Sequence, residues 1–261
     1  MRQFVSNKNP ENGILVVVGK DFRYLRLVLR LSVGDMFSVR LPDGSLRNTT
    51  VSKIDDAEKR IVLQVCDSIS SGADFANDEN IPAESLKEIW LFMFVPKPSK
   101  FEQIVRQSTE CGVSRIFPVA SEFSQKGAEK MNFKGERFGR IIKEARQQSG
   151  SAVDTVVENV VSVDEACRIW KDAGPAKFGC VLYERSDFTV SMMSAFAENS
   201  SVEKIEKSAV VVGSEGGISP SEIEKLKEAG FVPVHFRTNI LRCETAALYG
   251  LSVLQNLIEE N

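Results

Sequence analysis

Residues 210–247, VVVGSEGGISPSEIEKLKEAGFVPVHFRTNILRCETAA, constrain the fold of this chain more than any other stretch. Val210, Val211 and Val212 are β-branched and apolar without alternation, the pattern of a strand covered on both faces of a parallel sheet. Gly213, Gly216 and Gly217 then permit a tight turn or a close backbone approach to a ligand. Ser219-Pro220-Ser221-Glu222 is a capping box with proline at the first helical position, and Gly230 stops the helix eleven residues after its cap. A second strand follows, then a second loop that opens the last helix. The loop at the carboxyl end of a parallel strand is where open α/β sheets bind ligands.

The residues of these two loops narrow the ligand. A phosphate loop needs a lysine and no acid, whereas Glu215 sits inside this one, and the spacing of a dinucleotide fingerprint is absent. A carboxylate there repels phosphate and suits hydroxyls, amines or a cation. In the second loop Arg242, Glu244 and Thr245 lie beside apolar Ile240 and Leu241, and charges set between buried elements need partners. With one histidine, His235, a histidine-based metal site cannot be assembled, and His235 is expected to be structural or to line the pocket. Five cysteines with no C-x-x-C spacing support neither a disulfide framework nor zinc, so no metal is expected.

The rest of the chain divides in two. Strands are expected at 14–18, 36–41, 46–54 and 61–66, with a Pro42-Asp43-Gly44 turn and a basic helix over 21–31 whose apolar stripe is Phe22, Leu25, Val28 and Leu29. This predicts a small β-barrel. Residues 68–85 are polar and aperiodic and are expected to be a linker or long loop. From 88 onward strands at 89–95, 113–119, 155–161 and 178–182 alternate with helices at 99–111, 133–149, 162–173 and 192–197. That pattern predicts an α/β domain with a largely parallel sheet and helices on both faces. The expected domains are 1–75 and 76–261.

Charge supports an anion-binding face. The net charge is −3, yet residues 1–50 carry eight Lys/Arg against four Asp/Glu, and residues 100–150 carry ten against six. Each segment is +4, which leaves −11 for the remainder. Two basic segments on an acidic protein suggest a local site for a polyanion. No apolar run approaches membrane-spanning length and no signal-peptide core is present, so a cytoplasmic protein without a membrane partner is expected.

Gly213-Ser-Glu-Gly-Gly-Ile-Ser, followed by Asn239-Ile-Leu-Arg-Cys-Glu-Thr-Ala, resembles the paired signatures of SPOUT-class RNA methyltransferases, specifically the RsmE family. Lys97-Pro-Ser-Lys100, Glu110-Cys-Gly-Val113 and Glu144-Ala-Arg-Gln-Gln-Ser-Gly150 resemble further family segments in the same order. The resemblance implies a C-terminal trefoil knot, a PUA-like N-terminal barrel and a homodimer. It also implies S-adenosylmethionine-dependent methylation of N3 of a uridine in 16S rRNA of the small ribosomal subunit. Three loops would hold the cofactor, with Leu182, Gly213, Ser214, Glu215, Gly216, Gly217, Phe236, Leu241, Thr245 and Ala246 as the contacts. Arg242 and Glu215 are the catalytic candidates: Arg242 to stabilise charge on the uracil oxygens, Glu215 to orient the cofactor or an arginine. An ion pair of Arg242 with Glu215 or Glu244 that only ties the loops together is the other possibility. Arg2, Arg23, Arg26, Arg30 and Lys97 are the RNA-contact candidates.

The chain departs from that family pattern at Ser214, where proline is usual, and at Phe236-Arg237 and Asn239 before Ile-Leu-Arg. Ser151 and Phe123 stand where arginine-containing segments are common. These departures keep open a non-catalytic RNA-binding homologue. A related enzyme acting on a ribose 2'-O is a further alternative.

Overall fold

The computed structural model describes residues 3–66, 87–124, 126–133, 135–184, 188–199 and 205–259. The chain forms two compact units, Met1–Leu86 with Arg146–Ala152, and Lys87–Ala145 with Val153–Asn261. The expected boundary at 75/76, the linker at 68–85 and Arg2 all lie outside the described residues.

The first unit is a five-stranded sheet: β1 (Phe4–Val5), β2 (Ile14–Val18), β3 (Met36–Arg40), β4 (Leu46–Asp55) and β5 (Arg60–Val65). The order is β1-β3-β4-β5-β2, antiparallel except for the β1–β3 pair. Alternation does the work: Leu15 and Val17, and Ile61, Leu63 and Val65, point to one buried face while their neighbours are exposed or half-buried. Among the described residues the edge strands β1 and β2 do not pair, so the expected small barrel takes the form of a half-barrel.

The helix expected at 21–31 is also different. A single α-turn, α1 (Gly19–Arg23), runs into a π-helical stretch, Tyr24–Val28. The wider π-turn shifts the stripe: Phe22 and Leu25 are buried, but Val28 is 53 % exposed. Leu31 N–H donates to Leu25 O, and Arg30 takes φ +57°, the left-handed ending usually given to glycine.

The second unit contains β6 (Glu88–Phe94), α2 (Pro98–Glu110), β7 (Arg115–Ala120), α3 (Glu136–Ser149), β8 (Val156–Val157), β9 (Val161–Ser162) and α4 (Val163–Lys171). It continues with β10 (Lys177–Leu182), α5 (Met192–Asn199), β11 (Lys207–Val212), α6 (Pro220–Glu228), β12 (Val232–Val234) and α7 (Cys243–Glu259). The last turn of α3 falls in the segment counted with the first unit. The sheet order is β12-β10-β11-β6-β7-β8, with β9 also on β7, and every pair is parallel.

Strand β6 shows why the sheet is covered on both sides. Ile89, Leu91 and Met93 enter one core with residues of α2, α3, α5 and α7, while Trp90, Phe92 and Phe94 enter the other with residues of α4 and α6. Aromatic rings lock the second core, with Trp170 stacked on Phe231 at 5.1 Å and Phe92 on Phe117 at 4.7 Å. The strand expected at 155–161 is interrupted between β8 and β9, where Glu158-Asn159, poor strand formers, fall. Helix α3 begins at Glu136 instead of 133. Among the described residues no helix is long and apolar enough to cross a membrane.

Candidate functional site

The carboxyl ends of β10, β11 and β12 bring three loops together. In the loop after β11, Gly217 N–H donates to Ser214 O at 3.0 Å, and Gly217 takes φ +77°. A Cβ on Gly213 would lie 2.8 Å from the Gly217 carbonyl carbon, so the turn closes only with glycine there. A Cβ on Gly217 would meet Glu184 Oε1 at 3.4 Å, which sets the loop after β10 beside this one.

Helix α6 anchors the far side of the turn. Ser219 Oγ accepts from Glu222 N–H, and Glu222 Oε2 accepts from Ser219 N–H at 3.0 Å, completing the capping box. Glu222 Oε1 also accepts from Glu122 N–H at 2.8 Å, although Glu222 is only 6 % exposed. One buried carboxylate therefore fixes the helix start and the loop after β7.

A charged cluster joins the loop to the start of α7. Lys100 Nζ lies 3.0 Å from Glu244 Oε2 and 3.7 Å from Glu215 Oε1, and Glu215 Oε1 also accepts from Lys97 N–H at 3.3 Å. The hydrogen bond to Glu244 raises the pKa of Lys100, helped by the nearby Glu215 charge. Burial pushes the Glu244 carboxyl up, but its own backbone N–H, Lys100 and the Cys243 thiol outweigh this and hold it below the ordinary carboxylate value. The Cys243 thiol donates to Glu244 Oε2 at 3.3 Å and is pushed up to about 12, mainly by burial. It stays protonated near neutral pH and is not a thiolate nucleophile. The ion pair expected as one possibility for Arg242 is thus made by Lys100. Arg242 itself is exposed and makes no ion pair among the described residues.

Between the ends of β10 and β12 lies a cavity of about 150 Å³. Of the expected cofactor contacts, Leu182, Phe236, Leu241 and Ala246 line it. Gly213, Ser214, Glu215, Gly216 and Gly217 build the neighbouring turn, and Thr245 lines a separate apolar groove along α7. Tyr183, Glu184, Val234, Thr238, Asn239 and Ile240 also line the cavity, as does His235, whose Nδ1 shares a 2.7 Å hydrogen bond with Thr189 Oγ1. Of these, only His235 was expected to line a pocket; Tyr183, Glu184 and Val234 were not singled out, because β10 and β12 become neighbours only through the sheet order.

The arginines nominated for RNA sit in the first unit. Arg23 and Arg30 are exposed, whereas Arg26 is held by Asp56 at 3.1 Å and by Leu31 O at 3.2 Å. Lys97, in the second unit, is exposed at the start of α2.

Residues 83–255 match the RNA methyltransferase domain family. Over its whole length the chain is 29 % identical to Ribosomal RNA small subunit methyltransferase E 2 of Borreliella burgdorferi, covering 99 % of that protein. It is 27 % identical to Ribosomal RNA small subunit methyltransferase E of Bacillus subtilis, covering 91 % of this chain and 88 % of that one. Among solved structures, a Ribosomal RNA small subunit methyltransferase E from Neisseria gonorrhoeae bound to S-adenosylmethionine superposes with TM-score 0.75 at 21 % identity, covering 98 % of each chain. At that identity the likeness is one of fold.

Proposed function

Because this chain belongs to the RNA methyltransferase domain family, we propose that it methylates N3 of a uridine in 16S rRNA of the small ribosomal subunit, using S-adenosylmethionine. The observation that carries this is the cavity at the carboxyl ends of β10 and β12, beside the glycine turn after β11, in a chain that matches small-subunit rRNA methyltransferases from end to end. Its walls combine apolar Leu182, Val234, Phe236, Leu241 and Ala246 with polar Glu184, His235, Thr238 and Asn239, which fits a ligand with a flat base and polar ends. The loop at 236–242 that contributes to its wall is mostly exposed.

When bound, S-adenosylmethionine supplies a methyl group on a positively charged sulfur. The protein positions that methyl in line with the attacking nitrogen and manages charge. Uridine N3 loses its proton to water or to a group of the partner subunit, and the Arg242 guanidinium stabilises the negative charge that spreads to the uracil oxygens. Glu215, through Lys97 N–H and Lys100, holds the glycine turn against the start of α2. Gly213 to Gly217, with Leu182, Phe236, Leu241, Thr245 and Ala246, hold the cofactor.

The same reading includes a trefoil knot. Strand β12 lies on the far side of β10 from β11, and α7 then returns to pack on α2 and β11, a crossing path that a knot requires. The first unit serves as a PUA-like RNA-docking domain, with Arg2, Arg23, Arg26 and Arg30 as contacts alongside Lys97. The enzyme acts as a homodimer in the cytoplasm, where its subunit substrate resides. Support for the dimer is an apolar groove lined by Met193, Leu248, Tyr249, Val253 and Leu257, in which Met193 and Tyr249 are exposed.

The test is transfer of labelled methyl from S-adenosylmethionine to small subunits from a strain lacking the modification, mapped by primer extension, with a calorimetric titration of the cofactor. One stop in the 16S rRNA is expected. Arg242→Ala should lower the rate by about 10²–10³-fold, as for loss of a charge-stabilising donor, without changing the melting temperature. Absence of both transfer and saturable cofactor binding would establish the non-catalytic homologue instead.

A further inference from the structure

The turn after β11 has neighbours on both sides. Because β12, β10, β11, β6 and β7 are consecutive and parallel, the loops leaving their carboxyl ends stand in that order. On the β10 and β12 side lies the cavity described above. On the β6 and β7 side stand Lys97, just past β6, and Phe123, just past β7.

Both residues are tied to the turn through backbone. Lys97 N–H donates to Glu215 Oε1 at 3.3 Å, and Ser214 Oγ donates to Phe123 O at 3.2 Å. Gly216 packs so closely that a Cβ there would lie 2.6 Å from Phe123 Cβ. The residue before Phe123 is held in turn, since Glu122 N–H donates to the buried Glu222 carboxylate. Yet Phe123 is 44 % exposed and belongs to neither core of the unit, and Lys97 is exposed. An apolar ring held in place but left in solvent adds nothing to a core. An aromatic ring and an exposed lysine, both on residues tied to the same turn, match unpaired nucleic acid, in which bases stack on rings and phosphates pair with cations.

We propose that Phe123 is a stacking platform for an unpaired base of the substrate RNA, and that Lys97 contacts its phosphate backbone. The turn at Gly213–Ser219 then separates a cofactor side, facing β10 and β12, from a nucleotide side, facing β6 and β7. The inference rests on the RNA methyltransferase reading above and adds where the RNA strand enters.

The experiment measures 16S rRNA affinity by filter binding and S-adenosylmethionine affinity by calorimetry, on the full chain and on Phe123→Ala, Phe123→Trp and Lys97→Gln. Phe123→Ala should weaken RNA binding about tenfold or more, as for loss of one base stack, with cofactor affinity within about twofold of wild type. Phe123→Trp should retain RNA binding. Lys97→Gln should lower the slope of log affinity against log salt by about one. Unchanged RNA affinity in Phe123→Ala overturns the proposal. So does an equal loss of cofactor affinity, which would make Phe123 a packing residue of the turn. A wild-type chain that binds RNA but no cofactor overturns the proposed reaction and leaves the stacking comparison readable, whereas one that binds no RNA overturns both.

Discussion

Lys100 concentrates more of the site in one side chain than any residue nominated from the sequence. Its ammonium lies between carboxylates from the β11 turn and from α7, and the side chains of Lys100 and Glu244 retain 25 % and 13 % of their exposure. The depressed pKa of Glu244 contributes stability that is complete above the unfolded value of about 4.3 and is lost as pH falls through the lower folded value. The raised pKa of Lys100 contributes stability that is complete below about 10.4 and is lost as pH rises through the higher folded value. In Lys100→Met, burial acts on Glu244 with less compensation and its pKa rises. Because its Glu244 is no longer held as far below the ordinary carboxylate value, that variant should lose less stability than wild type as pH falls below about 4.3. Melting curves of the two proteins that stay parallel across this range would remove Lys100 as the counter-charge. The pairing was not legible beforehand, because Lys100 and Glu244 are 144 positions apart and nothing local links them. Glu215 and Arg242 were found from their own loops, but a residue's neighbours across the sheet are a tertiary fact.

At the scale of elements, the strongest local signals were helix ends. Ser219 was read as a cap from its spacing to Glu222, and its side chain accepts the expected backbone N–H; Ser162 likewise accepts from Glu165 N–H at the start of α4. Only the Ser219 box is reciprocal, and Glu222 there also serves the loop before Phe123. Ser219→Ala should therefore cost about 1 kcal/mol, whereas Glu222→Ala, which orphans two backbone donors, should cost roughly 2–4 kcal/mol. Urea unfolding midpoints in the reverse order would show that the capping hydroxyl, not the bridging carboxylate, holds the turn. Elsewhere local signals misled for identifiable reasons. The π-turn at Tyr24–Val28 defeats a stripe counted at helical period, and strand 155–161 breaks where Glu158 and Asn159 fall.

For the whole molecule, the apolar groove of α5 and α7 sets the assembly expected. Tyr249→Glu introduces a charge into that groove and should shift light-scattering mass from twice the chain mass to one. A dimer that persists would place the interface elsewhere. What the sequence determined by itself is what short-range chemistry encodes. Unalternated valines specified a buried parallel strand, glycines and capping boxes specified where strands turn into helices, and the paired motifs specified the family. Only the tertiary structure decided that the N-terminal sheet stays open, that β12 lies beside β10 and that Lys100 answers two distant carboxylates. It also decided that Phe123 stands beside the glycine turn. These depend on which strands become neighbours, and strand order is settled by the packing of residues tens to hundreds of positions apart, which no local pattern records.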